Sequence, residues 1–198
     1  MPFPKYLVCL SKSCWRQKVG IDFLFYQGIY KRGICTLNNP LVSVIIPTYN
    51  RKDTLPGCIK SILDQSYKNT EVIVIDDAST DGTQELFETG NFPQVKYFRY
   101  NENKGACYAR NYGAQRAKGE IIAFQDSDDI WHSDKLEKQI ELLFKTNSDM
   151  CFCGINRVSH EKSAYYFPVH DFDPNSGLEQ ILAENRASTQ TMVMRRCV

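Results

Sequence analysis

Short apolar runs alternate along the chain with segments whose apolar residues recur every three or four positions. Four runs rich in branched apolar residues predict buried β-strands, at residues 42–46, 71–77, 95–100 and 120–124. The intervening segments predict helices, at residues 55–63, around 82–89, at 105–118 and at 133–144. Weaker patterns predict strands at 149–155 and 188–194, and a short helix near 177–185.

Strands that alternate with helices predict an α/β fold, in which a mostly parallel, twisted sheet carries helices on both faces. Polar residues indicate where two of the helices begin. Asp53 or Thr54 is expected to cap the first helix and Ser133 the last. We expect a single domain over residues 41–198, preceded by an extension over residues 1–40.

Charge is unevenly distributed along the 198 residues, although the formal net charge is only +1. Residues 1–40 contain six lysines and arginines and one acid, whereas residues 41–198 contain 18 lysines and arginines and 22 acids. The near-neutral total argues against a nucleic-acid-binding protein with a pervasive basic surface. No stretch approaches the roughly 18 consecutive apolar residues of a spanning helix, and the first residues lack the apolar run of a secretion signal.

The basic residues of the 1–40 extension surround an apolar, aromatic segment at 21–26. Basic charge beside aromatic and aliphatic side chains is the pattern of an interfacial membrane anchor. A solvated tail, or an arm packed against the domain, fits the same pattern. The sequence therefore leaves peripheral membrane contact through residues 1–40 as one of three interpretations.

The chain contains eight cysteines, an even number that permits disulfides. However, the chain is not small, and it contains no Asn-x-Ser/Thr sequence of the kind glycosylated in secreted proteins. Cys151 and Cys153 have the spacing of a metal pair, but no second pair or nearby histidine completes a tetrahedral site. We therefore expect reduced thiols and a cytoplasmic protein.

Polar segments follow three of the predicted strands, at residues 47–51, 76–79 and 126–129. Ligands of open α/β sheets bind outside the carboxyl ends of the strands, so we expect these segments to converge. Their five aspartates would repel one another unless a cation or a donor-rich ligand lay between them. An Asp-x-Asp turn offers oxygen ligands to Mg²⁺ or Mn²⁺, and either ion would bind diphosphate oxygens. The alternative is that each aspartate caps the helix that follows.

Other nucleotide-binding and catalytic motifs are missing from the sequence. It contains neither Gly-x-Gly-x-x-Gly nor Gly-x₄-Gly-Lys-Ser/Thr, which argues against dinucleotide-dependent dehydrogenases and P-loop NTPases. The three histidines, His132, His160 and His170, lie outside the strand-end segments. No Ser/His/Asp or Cys/His set therefore points to nucleophilic catalysis.

Four motifs in order resemble the nucleotide-sugar-binding half of family 2 glycosyltransferases, which have the GT-A fold. They are Val-Ser-Val-Ile-Ile-Pro-Thr-Tyr-Asn-Arg at 42–51, Val-Ile-Asp-Asp-Ala-Ser-Thr-Asp-Gly-Thr at 74–83, Ala-Arg-Asn-x-Gly at 109–113 and Gly-Glu-Ile-Ile-Ala-Phe-Gln-Asp-Ser-Asp-Asp-Ile-Trp at 119–131. The resemblance covers residues 41–150 well and the remainder loosely. It implies a transferase that uses a nucleotide-diphosphate sugar.

The resemblance implies a role for each strand-end segment. Donor binding falls on Pro47, Thr48, Tyr49, Asn50, Arg51, Asp76, Asp77, Lys104, Gly105, Arg110, Asn111, Asp126, Ser127 and Asp128. Within this set the base and ribose would lie against 47–49, and Asp77 would accept a hydrogen bond from the base, with Asp76 as an orienting acid. Asp126 and Asp128 would bind Mn²⁺ or Mg²⁺. For the basic residues around Gly105, a solvated helix face is the alternative.

The resemblance also implies a mechanism and partners. We expect single displacement with inversion, from a UDP-sugar to a saccharide or lipid-linked acceptor, in bacterial-type cell-surface polysaccharide synthesis at the inner face of the membrane. The catalytic base of the family lies well downstream of the metal motif, so it would fall beyond Val198 and the chain would be truncated. The alternatives are an inactive nucleotide-sugar-binding fragment and a sugar-phosphate nucleotidyltransferase; the latter is disfavoured because Pro-Thr-Tyr-Asn replaces its Gly-rich loop.

Overall fold

The computed structural model of the chain describes residues 7–10, 39–158, 163–166 and 188–196. Its strands are β1 (Leu7–Leu10), β2 (Val42–Thr48), β3 (Thr70–Asp76), β4 (Val95–Arg99), β5 (Ile121–Phe124), β6 (Met150–Cys153), β7 (Ile155–Val158), β8 (Ser163–Tyr166) and β9 (Met192–Arg195). Its helices are α1 (Leu55–Leu63), α2 (Glu85–Glu88), α3 (Ala106–Arg116) and α4 (Lys135–Lys145), and one 3₁₀ turn covers Thr189–Thr191.

Seven of the described strands form one sheet in the order β1-β6-β9-β5-β2-β3-β4, and β7 pairs with β8 in a separate hairpin. Strands β5, β2, β3 and β4 are parallel neighbours. Strand β9 is antiparallel to both β5 and β6, so β6 runs in the same direction as β5. Five of the seven strands thus share one direction, which confirms the predicted mostly parallel α/β sheet.

The two faces of the sheet carry two separate hydrophobic layers because strand side chains alternate in direction. On one face, Val44 and Ile46 of β2 pack with α1 and α4, whose apolar residues include Ile59 and Leu136. On the other face, Ile45 packs with α3. Each fully buried aliphatic side chain contributes about 1.5–3 kcal/mol to stability. Helices therefore cover both faces, as predicted.

Helix α3 lies unusually close to the sheet at Gly113. A Cβ at this position would lie 2.5 Å from Cγ2 of Ile45 and 3.3 Å from Cγ1 of Ile75. Only glycine allows this approach without displacing the strand side chains. The close packing fixes where the first turn of α3 meets the carboxyl end of the sheet.

The amino-terminal edge of the parallel strands is held together by Glu71. Its Oε1 accepts hydrogen bonds from the Ser43 hydroxyl and from the backbone amides of Lys118 (2.5 Å) and Gly119 (3.1 Å), and its Oε2 pairs with Lys96 Nζ (2.5 Å). Burial raises the pKa of Glu71, but the hydrogen bonds from Lys96, Ser43 and Lys118 outweigh it and lower the pKa below its usual 4.5.

Helix and strand boundaries differ from the prediction in several places. Asp134, not Ser133, occupies the N-cap position of α4, and neither Thr54 nor Asp134 makes a side-chain capping bond. The predicted helix around 82–89 is a single turn, because Asp81 already accepts hydrogen bonds from Thr83 and holds that segment as a turn. The predicted strand at 188–194 begins as a 3₁₀ turn.

Some predictions fall outside the described residues. They are the short helix near 177–185 and the membrane contact of residues 1–40, of which only residues 7–10, 39 and 40 are described. The domain boundary at residue 41 stays a prediction, although β1 adds an edge strand to β6. Within the part of the chain that the structure describes, every helix is too short or too polar to cross a bilayer.

Candidate functional site

The loop after β2 and the loop after β3 are linked at the carboxyl edge of the sheet. Asn50 adopts a left-handed conformation with φ of 52°, which turns the chain sharply after β2. Its backbone amide donates to Ser79 Oγ (2.9 Å), and its side-chain oxygen accepts from the amide of Thr80 (2.7 Å). These bonds hold Tyr49 outward with 46% of its surface exposed. An aromatic ring therefore lies exposed at the carboxyl edge of the sheet.

Pro47 and Thr48 end β2 beneath that ring, and both are buried. The hydroxyl of Thr48 has no hydrogen-bond partner among the described residues, while its carbonyl accepts from the amide of Asp77 (2.9 Å). Buried hydroxyls normally have a partner. An unpartnered buried hydroxyl at a strand end is thus a free donor and acceptor next to the loops.

The carboxylate of Asp76, at the end of β3, is bound by other groups of the protein. It is fully buried, accepts hydrogen bonds from the amide of Ser79 (2.8 Å) and the hydroxyl of Tyr97, and lies 3.6 Å from Arg99 Nε. Burial and the hydrogen bond to Asp76 raise the pKa of Tyr97, so the phenol stays a donor. Asp76 therefore links β3 to the loop that follows it and to β4, and its orienting role toward a donor stays a prediction.

Asp77 faces the start of α3. Its two carboxylate oxygens accept from the backbone amides of Lys104 and Gly105, each at 2.7 Å. Gly105 has φ of 85°, a conformation that glycine adopts without strain, and α3 begins at the next residue. Each carboxylate oxygen can accept a second hydrogen bond. Asp77 therefore positions α3 and retains acceptor capacity at this edge of the sheet.

The acidic turn after β5 is paired with two arginines from other elements. Arg110 of α3 lies 2.8 Å from Asp126 through Nη2 and Oδ1, and Arg51 lies 3.4 Å from Asp128 through Nη2 and Oδ2. The amide of Asp129 donates to the carbonyl of Asp126 (3.1 Å), which closes the turn. Burial first, and then the charges of Asp128 and Asp126, raise the pKa of Asp129. The charges of the other two acids therefore act on the carboxyl group of Asp129.

The remaining predicted residues have different environments. Ser127 is buried, and Asn111 is exposed on α3. The amine of Lys104 lies over the rings of Tyr108 (5.1 Å) and Tyr100 (5.8 Å). The side chain of Lys104 thus packs on tyrosines, whereas its backbone amide binds Asp77.

Sequence reasoning missed several groups that shape the site. Ser79 binds both Asn50 and Asp76, and Gln190 donates to Asp129 Oδ2 (3.2 Å) from the 3₁₀ turn before β9. Ser79 could have been found, because it lies within a strand-end segment. Gln190 is 61 residues from Asp129 and has no local sequence signal.

The acids alone do not form a cage for a metal ion. In the described ranges, no group of three or more His, Cys, Asp or Glu side chains converges in a geometry that could hold one. Mg²⁺ commonly binds through one or two carboxylates together with substrate phosphates. Asp126 and Asp128 fit such a shared site by chemistry and by position on one turn.

The mostly parallel sheet with helices on both faces has the fold of the GT-A type transferases, as its similarity to solved structures shows. The chain belongs to glycosyl transferase family 2, whose family model matches residues 43–195. It is 44% identical over 156 residues to WfaP of Escherichia coli, a UDP-Glc:alpha-D-GlcNAc-diphosphoundecaprenol beta-1,3-glucosyltransferase, covering 79% of this chain and 61% of WfaP.

Two solved structures share the fold. S. aureus TarS 1-349 in complex with UDP-GlcNAc superposes with a TM-score of 0.64 and 26% identity, over 78% of this chain and 45% of TarS. The mannosyltransferase PcManGT from Pyrobaculum calidifontis, in complex with GDP-Man and Mn²⁺, gives 0.57 and 24% identity, over 80% of this chain and 45% of that one. The chain spans only part of other curated relatives, covering 49% of one and 22% of another.

Proposed function

We propose that this chain binds a nucleotide-diphosphate sugar, with UDP as the favoured nucleotide, and transfers the sugar to an acceptor hydroxyl in cell-surface polysaccharide synthesis. The observation that carries the proposal is the pairing of Arg51 and Arg110 with the 126–128 turn, at the same carboxyl edge of the sheet as Tyr49 and Asp77. This edge combines an aromatic face, an acceptor and phosphate-binding guanidinium groups. UDP is favoured because WfaP is named for UDP-Glc and TarS was solved with UDP-GlcNAc.

The base and ribose would lie against the carboxyl ends of β2 and β3. The exposed ring of Tyr49 offers a stacking surface, which aromatic side chains commonly give to bases. Asp77 would accept a hydrogen bond from the imide N–H of uracil through an unused lone pair. The unpartnered hydroxyl of Thr48 is a further polar group at this position.

The diphosphate would lie between the two arginines and the acidic turn. Arginine binds phosphate oxygens through paired N–H donors, and both guanidinium groups are within reach of this turn. Asp126 and Asp128 would hold a divalent cation, which when bound supplies neutralising charge to the diphosphate leaving group. With that charge neutralised, the chain needs no general acid at the leaving oxygen, unlike a glycoside hydrolase.

The transfer step is a single displacement at the anomeric carbon. The acceptor oxygen forms the new bond as the bond to the diphosphate breaks, so the configuration inverts. The acceptor proton passes to a base, for which we assign no residue among the described ones. A lipid-linked saccharide is the favoured acceptor, since WfaP is named for a diphosphoundecaprenol substrate. Residues 1–40 would then contact the inner face of the membrane.

The proposal is tested by nucleotide binding before any acceptor is known. The full chain is titrated by calorimetry and by thermal shift with UDP, GDP, UDP-glucose and UDP-GlcNAc, with Mn²⁺ or with EDTA. We expect UDP ligands with Mn²⁺ to raise the melting temperature, because a ligand at a hundred times its Kd stabilises the folded state by about 2.7 kcal/mol. No stabilisation by any nucleotide would contradict the proposal.

Transfer is then distinguished from binding alone. The chain is incubated with the best donor and a short-chain GlcNAc-diphospholipid, and release of the nucleotide is measured with and without the acceptor. Acceptor-dependent release with an inverted anomeric signal in proton NMR supports the transferase. Tight donor binding without acceptor-dependent release would instead support the alternative of a nucleotide-sugar-binding module.

A further inference from the structure

Each carboxylate of the Asp-x-Asp pair is bound by an arginine from a different part of the fold. Arg110 comes from the first turns of α3, and Arg51 comes from the loop after β2. Their partners, Asp126 and Asp128, lie two residues apart on the turn after β5. The acidic turn therefore already has two positive partners that belong to the protein.

The two pairs differ in strength. Arg110 and Asp126 are 2.8 Å apart, with 19% and 28% of their side chains exposed. Arg51 and Asp128 are 3.4 Å apart and nearly half exposed, where an ion pair contributes only about 0–1 kcal/mol. Nε of Arg110 is buried and has no hydrogen-bond partner among the described residues. Arg110 is therefore the stronger partner, yet its guanidinium is incompletely bonded.

A metal ion and an arginine compete for the negative charge of the same carboxylates. A divalent cation that bound this turn alone would lie close to both guanidinium groups, whose like charge opposes its binding unless they move away. A diphosphate removes this conflict because it accepts the hydrogen bonds of the displaced guanidinium groups and gives the cation further oxygen ligands.

We propose that Arg51 and Arg110 act as exchangeable counter-cations of Asp128 and Asp126, so that the protein binds a divalent cation weakly until a nucleoside diphosphate accepts both arginines. This inference rests on the proposed function, because it requires a metal and a diphosphate at the same site. Coupling between two ligands is reciprocal, so the metal tightens the nucleotide by the same factor. Arg110 carries the larger part of the coupling.

The test measures metal binding with and without nucleotide. Binding of Mn²⁺ to the full chain is followed by the electron paramagnetic resonance signal of the free ion, with no nucleotide and with saturating UDP. In the wild type, we expect UDP to tighten Mn²⁺ by a factor within the usual range of about 5–150. Arg110→Gln should tighten Mn²⁺ about tenfold in the absence of UDP and should reduce the effect of UDP. Arg51→Gln should also tighten Mn²⁺ in the absence of UDP, by about threefold.

Arg116→Gln is the matched control, because it removes one positive charge from the same helix. The Arg116 guanidinium lies 3.1 Å from the ring centre of Tyr112, away from the acids. We expect its Mn²⁺ affinity without UDP to stay within about twofold of the wild type. An equal gain in Mn²⁺ affinity in all three variants would overturn the proposal, because the gain would then depend on the net charge of the protein and not on the position of the arginine.

The outcomes also separate this inference from the proposed function. If Arg110→Gln leaves nucleotide-free Mn²⁺ binding unchanged or weakens it, Arg110 merely supports the turn and the inference is wrong. Arg51→Gln provides the same test on an exposed side chain if the Arg110 variant does not fold. If the wild type binds no Mn²⁺ even with UDP, the metal assignment of the proposed function fails instead.

Discussion

The carboxylates at the two edges of the parallel sheet differ in how many donors of the protein bind them. At the amino-terminal edge, Glu71 has four donors, and all four come from residues at least 25 positions away in the sequence. At the carboxyl edge, Asp126 and Asp128 have one arginine each, and the pKa of Asp129 is raised partly by their charges. One edge is electrostatically satisfied, and the other is left with surplus negative charge.

This difference separates carboxylates that stabilise the fold from carboxylates available to a ligand. A buried acid bound by several donors of the protein has little capacity for a new partner, and removing it leaves buried donors unpaired. An acid held only by a partly exposed arginine can exchange that partner at low cost. Asp76, although at the carboxyl edge, belongs with Glu71 by this criterion.

The largest expected effect is on stability at the amino-terminal edge. Glu71→Ala should lower the free energy of unfolding by about 3 kcal/mol, because the Lys96 amine and two backbone amides lose a partly buried partner. Urea denaturation measures the loss. Glu141→Ala, on the exposed side of α4, is the control and should change stability by less than about 0.5 kcal/mol. A loss below about 1 kcal/mol would show that Glu71 is not a structural acid.

At Asp128 we expect a loss of ligand binding with little change in stability. Asp128→Ala should weaken Mn²⁺-dependent UDP binding at least about tenfold, or about 1.4 kcal/mol, while the melting temperature stays within a few degrees of the wild type. Calorimetric titration with UDP, with Mn²⁺ or EDTA, measures the effect. Asp64→Ala removes an exposed acid at the end of α1 and should bind normally. Equal UDP affinity in EDTA and in Mn²⁺ for the wild type would remove the basis of the prediction.

Substitution of Asp77 should reduce both the stability of the protein and its affinity for UDP. Asp77→Asn keeps one carbonyl acceptor but places an amide donor against a backbone N–H at the start of α3, so we expect a stability loss of about 1 kcal/mol. UDP affinity should fall about fivefold as the acceptor toward the base is lost. Parallel denaturation and calorimetry measure both quantities. A stability loss with unchanged UDP affinity would place Asp77 with the purely structural acids.

The smallest expected effect is at Asp129. Because its pKa is raised in the folded state, ionisation opposes folding, and Asp129→Asn should stabilise the protein at pH 7 by less than about 1 kcal/mol. The gain should disappear as the pH falls below about 3.8, where the aspartate is protonated in both states. Denaturation at pH 7, 5 and 3.5 measures the trend.

In the same measurements at several pH values, Glu71→Gln should change stability in the opposite direction to Asp129→Asn. The pKa of Glu71 is lowered on folding, so its carboxylate contributes stability above pH 4.5 and loses it as the pH falls through the folded value. The variant should therefore be less stable than the wild type at pH 7 and approach it in acid. The same pH trend for both variants would contradict the proposed division between the two edges.

The sequence predicted the central elements well because burial gives them strong patterns. The β-branched runs at 42–46 and 71–77 became β2 and β3, and the carboxyl ends of both strands carry the predicted loops. The family motifs identified a glycosyltransferase, which the family model confirms. Single-residue boundaries such as Ser133 were wrong by one position, because several neighbouring polar residues can occupy a helix start.

Contacts between distant residues were not predictable from local pattern. The local sequence around Arg110 and Asp126 does not predict their ion pair, because the pair depends on how α3 packs across the sheet at Gly113. The Glu71 network did have a signal, because Ser43 and Glu71 are polar positions in apolar strands and lie in register. Two polar residues at the same level of neighbouring parallel strands would be enough to suggest such a link.

The position of β9 has a consequence for synthesis on the ribosome. This strand lies between β5 and β6, although it follows β6 by almost forty residues. Until residues 192–195 leave the exit tunnel, β5 has an open edge and β6 has no neighbour that links it to the parallel strands. The nascent chain therefore exposes an unpaired hydrophobic edge for several seconds at ordinary elongation rates, during which chaperone binding and misassembly compete with folding.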